Sequence, residues 1–499
     1  AWATVRNVAG EALRLPLEAQ STVQGLKARV EERWRVPCDC QVLVLGSAVL
    51  ADTENLGSRA LGGAPELALT LVISCEGLLE RLEDPSPTSR LAAVATLLRF
   101  VRKGDGRATA ALTACLGDAN ARVRLAVVDA LPRVAEPGDG HAIAAVGPLL
   151  ADSNAHIRRA AARALPRLAQ RGDAHAFEAV RARLGYSSAE VRLLALEALA
   201  EVAAVSDRQA LDALDARLQD ADAKVRQGAL KALAKLAAKG DERALAAARA
   251  RLRDEHGDVR SAALESMASV AERGDPSAVA AAGACLEDGD VGVRQAAVRL
   301  LGEVAERGEP GALAAVRGRL GHASPGVRLA AMLALARVVE RGDAGAIALV
   351  GERLEDAVAI VRRAAVEWLA KMADAGDERA VAEAFLRLDH TEPSVRETAL
   401  LALANVVEPG DARAIEAAAG RLEDADAGVR QAAVQVVPHV VGERCGAAVI
   451  AARARLLHTN PDVRLAAAAA LVALGVPVEV LELPGPPGPP EAAPGPAGP

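Results

Sequence analysis

Apolar and polar positions along most of this chain follow one pattern that returns at every thirty-fourth position. Each copy carries a residue pair that is usually Val-Arg, followed by Ala, Val and Leu at the spacing of one helix face. The marker Arg recurs at equal intervals from the first copy to the last, without an insertion. The sequence therefore predicts twelve stacked units, marked by Arg90, Arg124, Arg158, Arg192, Arg226, Arg260, Arg294, Arg328, Arg362, Arg396, Arg430 and Arg464.

Each unit is predicted to contain two helices. In a representative unit, Asp241 is the N-cap of a first helix that runs to about Leu252. Residues 254–258 form a turn, residues 259–273 form the second helix, and Gly274 ends it. The apolar stripe of the second helix is too narrow to fold alone, so the neighbouring unit must cover it. Stacked units of this kind form a solenoid.

Composition narrows the class of helical repeat. Half of the chain is apolar (51%), yet it has only three Trp, three Phe and one Tyr. Such a core consists of Ala, Leu and Val, which pack helices closely. Tetratricopeptide repeats have the same length as these units, but they need aromatic residues at fixed positions. We therefore predict a mainly α protein with an α-α superhelical solenoid of another type.

An acid stands six positions before the marker Arg in most units, and x-Ala-Ala-Val/Leu-x-Ala-Leu follows the Arg. This pattern resembles HEAT repeats, of the short kind similar to phycobilisome-lyase repeats, from Cys75 to Leu483. The resemblance implies that Asp and Arg form a ladder along the stack. We expect each Asp to pair with the Arg of its own unit, for example Asp288 with Arg294. The acids are Asp84, Asp118, Asp152, Asp220, Asp254, Asp288, Asp356 and Asp424.

A second period, two units long, is superimposed on the 34-residue repeat. His322, His390 and His458 replace the ladder Asp at this step, which indicates that a block of two units was duplicated. Units two apart are separated by about 20 Å, whereas metal ligands lie about 2 Å from the ion. The three histidines therefore cannot share a metal, and we interpret them as polar turn residues.

Residues 1–74 lack the repeat and predict a small mixed domain. A hairpin around Gly10, a helix capped at Thr22, and strands at 41–45 and 67–73 follow in order. These residues resemble ubiquitin-like β-grasp domains at Thr22-Val23, Leu26-Lys27, Val36-Pro37, Asp39, Gln41, Leu43, Leu50, Asp52 and Leu56.

This resemblance implies a docking patch on the sheet, at Val44, Ala68 and Thr70, for ubiquitin-receptor-type proteins. Conjugated members of the family end in Gly-Gly, but here the chain continues as Ser74-Cys75-Glu76-Gly77. We therefore expect a head that is not conjugated. The predicted domains are the ubiquitin-like head (1–74), the solenoid (75–483) and a disordered Pro- and Gly-rich tail (484–499).

Charge, cysteines and motifs exclude several functions. The net charge of −7 does not predict nucleic-acid binding, and six Cys in 499 residues indicate a reducing, cytoplasmic compartment. The longest apolar run, 465–478, is too short to span a membrane. No phosphate loop, dinucleotide fingerprint or Gly-x-Ser-x-Gly motif is found, so no cofactor and no catalytic residue are predicted. Cys38 and Cys40 have no second pair nearby and therefore do not predict a zinc site.

One charge bias points to an interaction surface. Four of the seven Lys lie between residues 224 and 239, while the same register of neighbouring units holds Arg or Glu. In HEAT arrays the second helix lines the concave side, so alternating charges there could bind a charged protein. The alternative is an ordinary solvated face. The candidate residues are Arg163, Arg167, Glu197, Glu201, Lys231, Lys235, Lys239, Glu265 and Trp368.

Trp368 stands where other units have Ala, so its ring either fills a gap beside a neighbour or projects from the groove. The leading hypothesis is a non-enzymatic scaffold that binds protein through the solenoid and has the head as a second docking module. The alternative is an enzyme of the bilin-lyase-like class, or its regulatory subunit. That alternative requires a pocket with convergent polar and nucleophilic groups, and the sequence nominates none.

Overall fold

The computed structural model describes residues 1–61, 66–442 and 445–476. Packing divides the chain into two compact units, 1–238 and 239–499. The predicted tail at 484–499 lies outside the described residues. None of the described helices has both the length and the apolar composition needed to cross a membrane.

The N-terminal unit begins with a five-stranded sheet in the order β2-β1-β5-β3-β4. Strand β1 pairs antiparallel with β2 and parallel with β5, and β3 pairs antiparallel with β5 and β4. The helix α1 covers one face, where Val5, Leu26, Leu43 and Leu69 are buried. The elements are β1 Trp2–Asn7, β2 Ala12–Pro16, α1 Val23–Trp34, β3 Gln41–Leu45, β4 Ala48–Val49, α2 Leu56–Leu61 and β5 Glu66–Ile73, with a 3-10 turn at Cys38–Cys40.

Local chemistry explains these boundaries and agrees with the predicted elements. Gly10 has φ +87° in the turn between β1 and β2, a conformation that favours glycine. The Thr22 hydroxyl accepts the N–H of Gly25 at 3.2 Å, which caps α1. The helix ends where Arg35 adopts φ 57°, and its N–H bonds the carbonyl of Glu31 at 2.8 Å. The structure adds β4 and α2, which the sequence pattern did not predict.

The rest of the N-terminal unit consists of helix pairs. A first and a second helix alternate from α5 onward, and 3-10 turns at Cys115–Gly117 and Gly147–Ala151 extend two of the first helices. The helices are α3 Glu76–Arg81, α4 Pro87–Phe100, α5 Gly106–Ala114, α6 Ala121–Val134, α7 Gly140–Val146, α8 Ala155–Leu168, α9 Ala174–Leu184, α10 Ala189–Val202, α11 Arg208–Arg217 and α12 Ala223–Leu236.

The C-terminal unit repeats the same pairs. Its 3-10 turns lie at Arg251–Arg253, Glu352–Glu355 and Arg421–Glu423. The helices are α13 Glu242–Ala250, α14 Gly257–Val270, α15 Pro276–Cys285, α16 Val291–Val304, α17 Pro310–Leu320, α18 Pro325–Val338, α19 Ala344–Gly351, α20 Ala359–Met372, α21 Glu378–Leu388, α22 Pro393–Val406, α23 Ala412–Gly420, α24 Ala427–Val441, α25 Cys445–Arg455 and α26 Pro461–Ala473.

Within each unit, successive second helices pack side by side, α4 on α6 and α8 on α10 in one, α14 on α16 in the other. Small residues make this close approach possible: Ala195 in α10 and Ala263 in α14 are fully buried. Leu and Val from both helices of each pair fill the remaining space. The predicted helical repeat is therefore confirmed, with a core of Ala, Leu and Val.

Backbone hydrogen bonds also join neighbouring repeats. The N–H of Gly104 bonds the carbonyl of Val134 at 2.7 Å, and that of Gly274 bonds Val304 at 2.6 Å. Both glycines have positive φ angles, +89° and +83°, so their common register reflects a backbone requirement. The sequence predicted that the second helix runs to Arg273, but α14 ends at Val270. Gly274 serves the junction with the next repeat instead of ending the helix.

Candidate functional site

The ladder arginines connect one repeat to the next, which corrects the predicted pairing. Nε and Nη2 of Arg260 each donate to the Asp288 carboxylate of the following repeat at 2.7 Å. Nη1 of the same Arg donates to the backbone carbonyl of Asp254, in its own turn, at 2.8 Å. The expected pair Asp288–Arg294 is wrong: Arg294 donates to the backbone carbonyl of Asp288 at 2.7 Å and not to its carboxylate.

The same two-pronged contact recurs in both units. In each case an Arg reaches the carboxylate of the Asp in the following repeat, with N···O distances of 2.6 to 3.0 Å. The Arg side chains are 10–17% exposed and the Asp side chains 3–13%. We call the step from one repeat to the next an interval, and we call it closed where this Arg–Asp pair forms. The closed intervals are Arg90–Asp118, Arg124–Asp152, Arg192–Asp220, Arg260–Asp288, Arg328–Asp356 and Arg396–Asp424.

Two intervals are open, which means that within the described part of the chain the ladder Arg reaches no carboxylate of the following repeat, because a histidine replaces the Asp there. Nδ1 of His322 accepts the N–H of Ser324 at 3.1 Å, so it keeps the local role of the Asp but brings no carboxylate. Arg294 and Arg362 therefore keep their bonds to backbone carbonyls and have no carboxylate partner among the described residues. At Arg158 and Arg430 an acid from the next second helix takes over: Glu190 for the former and, at 3.2 Å, Asp462 for the latter.

The closed intervals shift the acidities of their carboxylates. Hydrogen bonds from Arg90 hold the pKa of Asp118 below its usual range, against the opposing effect of burial. At Asp288 burial is the largest influence and raises the pKa, but hydrogen bonds from Arg260 and from the N–H of Asp290 outweigh it and lower the pKa overall. These guanidinium groups are thus occupied by contacts within the chain.

The predicted binding residues lie mostly on one surface of the second helices. In each 14-residue second helix, the ninth and thirteenth residues are exposed in most repeats. Arg163, Glu197, Lys231 and Glu265 occupy the ninth position, and Arg167, Glu201 and Lys235 the thirteenth. We call these two rows, within each unit, the second-helix surface.

Some of these charges pair with one another along the surface. Lys235 Nζ lies 2.5 Å from Glu201 Oε1 of the preceding repeat, and Arg299 Nη2 lies 2.9 Å from Glu265 Oε1. Both pairs are about half exposed, so they contribute little to stability. The side chains of Arg163, Glu197 and Lys231 make no hydrogen bond or ion pair within the described part of the chain.

Lys239 does not belong to this surface. The helix predicted to carry it, α12, ends at Leu236. Nζ of Lys239 donates to the carbonyls of Ala268 and Ala271 at 3.1 and 3.0 Å, so it caps the end of the next second helix. Arg171 and Arg341 occupy the equivalent place in other repeats and bond Ala203 and Ala373 in the same way.

Trp368 is half-buried, and Lys371 lies over its ring with Nζ 4.4 Å from the centroid. This distance permits a cation–π contact, worth about 0.5–1 kcal/mol at an exposed site. Lys371 is the thirteenth residue of α20, so the ring lies at the edge of the second-helix surface. The sequence did not predict this contact.

A row of arginines in the N-terminal unit escaped the sequence prediction. Arg99, Arg133 and Arg167 are the thirteenth residues of three successive second helices, and all are exposed. Only Arg167 was predicted. None of the three forms a hydrogen bond or an ion pair through its side chain within the described residues, and Arg99 lies over the Phe100 ring at 5.3 Å. The recurrence of Arg at the repeat spacing was the signal available in the sequence. We call these three residues the arginine row.

Two grooves of the N-terminal unit offer little for catalysis. In the groove between α9 and α11, Glu178 and Arg181 pair with each other at 2.7 Å, and Arg217 donates to the Leu184 carbonyl at 2.9 Å. The groove between the sheet and α3 contains Cys38, whose pKa is raised to about 12 by burial and a hydrogen bond to Glu31. A thiol of that acidity is protonated at neutral pH and is a poor nucleophile.

Other cysteines are also protonated thiols. Burial raises the pKa of Cys40 to about 12 and that of Cys285 to about 11. Cys115 Sγ lies 3.9 Å from the Leu82 carbonyl. Arg217 stands at the same position of its own repeat and donates to the equivalent carbonyl, that of Leu184. Within residues 1–61, 66–442 and 445–476, no three His, Cys, Asp or Glu side chains are grouped so that they could hold a metal ion.

The predicted patch of the head lies on the sheet face opposite α1. Val44 pairs with Thr70 across β3 and β5, and Ala68 follows on β5. Thr70 and Ala68 are exposed and Val44 is partly exposed. Val49 on β4 and Val72 on β5 are 66% and 40% exposed on the same face, so the face is more apolar than the three predicted residues suggest.

Solved structures with a similar fold include karyopherins. Kap121p bound to the extreme C-terminus of the phosphatase Cdc14p aligns with a TM-score of 0.54 and 13% identity, over 81% of this chain and 50% of that one. Kap121p bound to Nup53p gives a TM-score of 0.52 and 14% identity, over 81% and 49%. The chain spans about half the length of these structures, and such identities show a common fold alone.

No curated protein matches the sequence. The family model of HEAT repeats matches residues 75–166, 177–268, 279–370 and 350–438. These matches cover more than half of the chain and coincide with the helix pairs and the Arg–Asp ladder described above. The chain belongs to the HEAT-repeat family.

Proposed function

We propose that this protein is a non-enzymatic scaffold that binds a protein partner along its second-helix surface. The observation that carries the proposal is a run of exposed charged side chains at one register of successive helices, several of them without a partner among the described residues. Arg163, Glu197 and Lys231 are the clearest examples. Solenoids bind along extended surfaces of this kind. The similar karyopherin structures, in which Kap121p is bound to the extreme C-terminus of Cdc14p or to Nup53p, support the same function.

The test is affinity capture on the full chain. The variant Arg163→Glu/Lys231→Glu inverts two unpartnered charges, and we expect it to lose the proteins that the unchanged chain retains. Arg122→Glu is the control, because Arg122 is exposed at the start of α6, away from the ninth and thirteenth positions. Equal capture by all three proteins would contradict the proposal.

We further propose that the head is a ubiquitin-like docking module. The sheet order β2-β1-β5-β3-β4 with one helix packed on it supports this, as do the contacts of matched residues. Lys27 pairs with Asp52 at 2.6 Å, and the buried Gln41 amide donates to the carbonyls of Lys27 and Val36 at 2.8 and 2.7 Å. These bonds hold α1 against the loop segments of the sheet.

Immobilised ubiquitin-receptor domains provide the test of the head. We expect them to retain the full chain and to lose the Val44→Asp variant, because a charge would be placed in the apolar face. Val8→Asp is the matched control, since Val8 is 85% exposed in the turn between β1 and β2. Retention of none of these proteins, or equal retention of all three, would overturn this part of the proposal. We also propose the cytoplasm as the compartment, on the basis of the sparse cysteines.

A further inference from the structure

The arginine row differs from its equivalents elsewhere on the second-helix surface. At the thirteenth position of the two following repeats, Glu201 and Lys235 neutralise each other at 2.5 Å. Arg99, Arg133 and Arg167 form no such pair within the described chain, because Arg99 and Arg133 have Arg beside them at this position and the Glu201 that follows Arg167 pairs with Lys235 instead. The ninth and thirteenth positions of α4, α6 and α8 together contain four Arg, one Asp and one Ala. This part of the surface is therefore basic within an acidic protein.

The spacing of the row follows from the helix stack. α4, α6 and α8 are consecutive neighbours, and packed helices lie about 8–10 Å apart. Equivalent side chains therefore recur at about that interval. A polyproline II segment rises about 3.1 Å per residue with three residues per turn, so every third side chain points the same way at intervals of about 9 Å. In a β-strand, by contrast, residues three apart point to opposite faces.

We propose that the arginine row binds an extended acidic protein segment with Asp or Glu at every third residue. This proposal rests on the proposed scaffold function and specifies its partner. Each guanidinium has its donors free to form two parallel hydrogen bonds with one carboxylate. A segment in the polyproline II conformation is already extended, so it loses less conformational freedom on binding than a flexible chain.

The surrounding charges favour a short acidic segment over a nucleic acid. Asp129 lies at the ninth position in the middle repeat, and the next repeat presents Glu197 and Glu201. A continuous chain of phosphates would meet these carboxylates beside and beyond the row. Three carboxylates spaced by one repeat each would meet only the arginines. The charge of the whole chain, −7, also opposes a long polyanion.

The experiment measures the binding of labelled peptides to the full chain by fluorescence anisotropy. The probes are a repeating Glu-Pro-Pro peptide, a peptide with the same residues in which all the Glu are contiguous, and a repeating Lys-Pro-Pro peptide. We expect the Glu-Pro-Pro peptide to bind the tightest, the Lys peptide not to bind, and the affinity to fall with added salt. Equal affinity for both Glu peptides would overturn the spacing argument.

Charge inversion identifies the surface. We expect Arg133→Glu to weaken binding of the Glu-Pro-Pro peptide about tenfold or more, because it places a like charge at the centre of the row. Arg122→Glu is the matched control, because Arg122 is exposed at the start of α6 in the same unit and lies off the second-helix surface. It should change the affinity less than about twofold. Equal losses in both variants would overturn the proposal, as would a tighter complex with single-stranded DNA.

The experiments distinguish a failure of the arginine-row proposal from a failure of the proposed scaffold function. Proteins captured by the unchanged chain and lost with Arg163→Glu/Lys231→Glu would establish the scaffold. If the same proteins were retained by Arg133→Glu and the acidic peptide did not bind, the arginine row alone would be refuted. If the peptide bound and no protein partner were captured, the row would stand without the wider surface.

Discussion

The ladder is continuous in the N-terminal unit and interrupted in the C-terminal one. In residues 1–238, every ladder Arg from Arg90 to Arg192 reaches a carboxylate of the next repeat. In residues 239–476, closed intervals alternate with the open ones at Arg294 and Arg362. The alternation comes from His322 and His390, so the duplicated block changed the bonding between repeats while leaving their packing intact.

The comparison of closed with open intervals separates two roles of the ladder Arg. In both kinds of interval the Arg holds the turn of its own repeat through backbone carbonyls. Only in closed intervals does it also bind the Asp of the next repeat. Stability of a solenoid is approximately a sum over neighbours, so open intervals should be the places where the C-terminal unit separates first.

The largest expected effect distinguishes Arg260→Ala from Arg294→Ala. Removal of Arg260 leaves the Asp288 carboxylate, 13% exposed, without its partner and should cost about 2–4 kcal/mol. Arg294→Ala removes only bonds to backbone carbonyls and should cost about 1 kcal/mol. Hydrogen exchange on α14 and α16 measures both, because unfolding of repeats is local. Equal losses of protection would mean that the carboxylate contact contributes nothing.

Strict periodicity explains why the sequence could not identify this pairing. The Asp that precedes one Arg within a repeat also follows the Arg of the previous repeat at a fixed distance, because all repeats have the same length. The repeating sequence is therefore equally consistent with a pair between each Asp and the Arg of its own repeat and with a pair between each Asp and the Arg of the previous repeat. Only interruptions break the equivalence: Arg294 lacks a carboxylate partner among the described residues although Asp288 stands in its own repeat, because its partner position in the next repeat, 322, holds His.

The next effect tests whether a closed interval can be opened. Asp356→His should place at Arg328 the residue that the open intervals already accommodate, so the fold should be retained. The Arg328–Asp356 pair is deeply buried, with side chains 10% and 4% exposed, and its loss should cost about 2 kcal/mol. Asp258→His is the control, since Asp258 is exposed at the start of α14. The free energy of unfolding is measured by urea titration, and hydrogen exchange at α18 and α20 locates the change. If both measurements on Asp356→His matched those on the unchanged protein, the pair would be dispensable.

The sequence did predict the repeats and their helices, since burial of a narrow apolar stripe leaves few alternatives. It also placed the charged residues of the second-helix surface in register. It could not tell which of them are paired. Arg167 and Lys235 share a position, yet among the described residues only Lys235 pairs with a carboxylate. Both residues have Glu201 one repeat away, so the difference depends on side-chain conformation, which the helical pattern does not determine.

A smaller effect is expected from closing an open interval. His322→Asp would offer Arg294 the carboxylate that closed intervals provide, and should stabilise the C-terminal unit by about 1 kcal/mol. His322→Asn is the control, because its side-chain oxygen can also accept the N–H of Ser324 but carries no charge. The midpoint of urea unfolding compares them. If Asp and Asn gave the same midpoint, Arg294 would not be available to a carboxylate.

The smallest effect concerns pH. The folded pKa of Asp288 lies below that of an unfolded Asp, about 3.9. Its stabilisation is therefore complete above the unfolded pKa and is lost as pH falls below about 4, through the lower folded value. Burial opposes the effect of Arg260 on this acidity, so the net pH dependence must be smaller than the cost of removing Arg260.

The Asp288→Asn variant should therefore lose less stability between about pH 6 and pH 3 than the unchanged protein, although it starts from lower stability at the higher pH. Asn keeps an oxygen for the N–H of Asp290, which isolates the charge from the local cap. Hydrogen exchange of α16 at both pH values provides the measurement. Parallel losses in the two proteins would mean that other carboxylates govern acid sensitivity. In that case the contrast between closed and open intervals would reflect hydrogen-bond geometry more than charge.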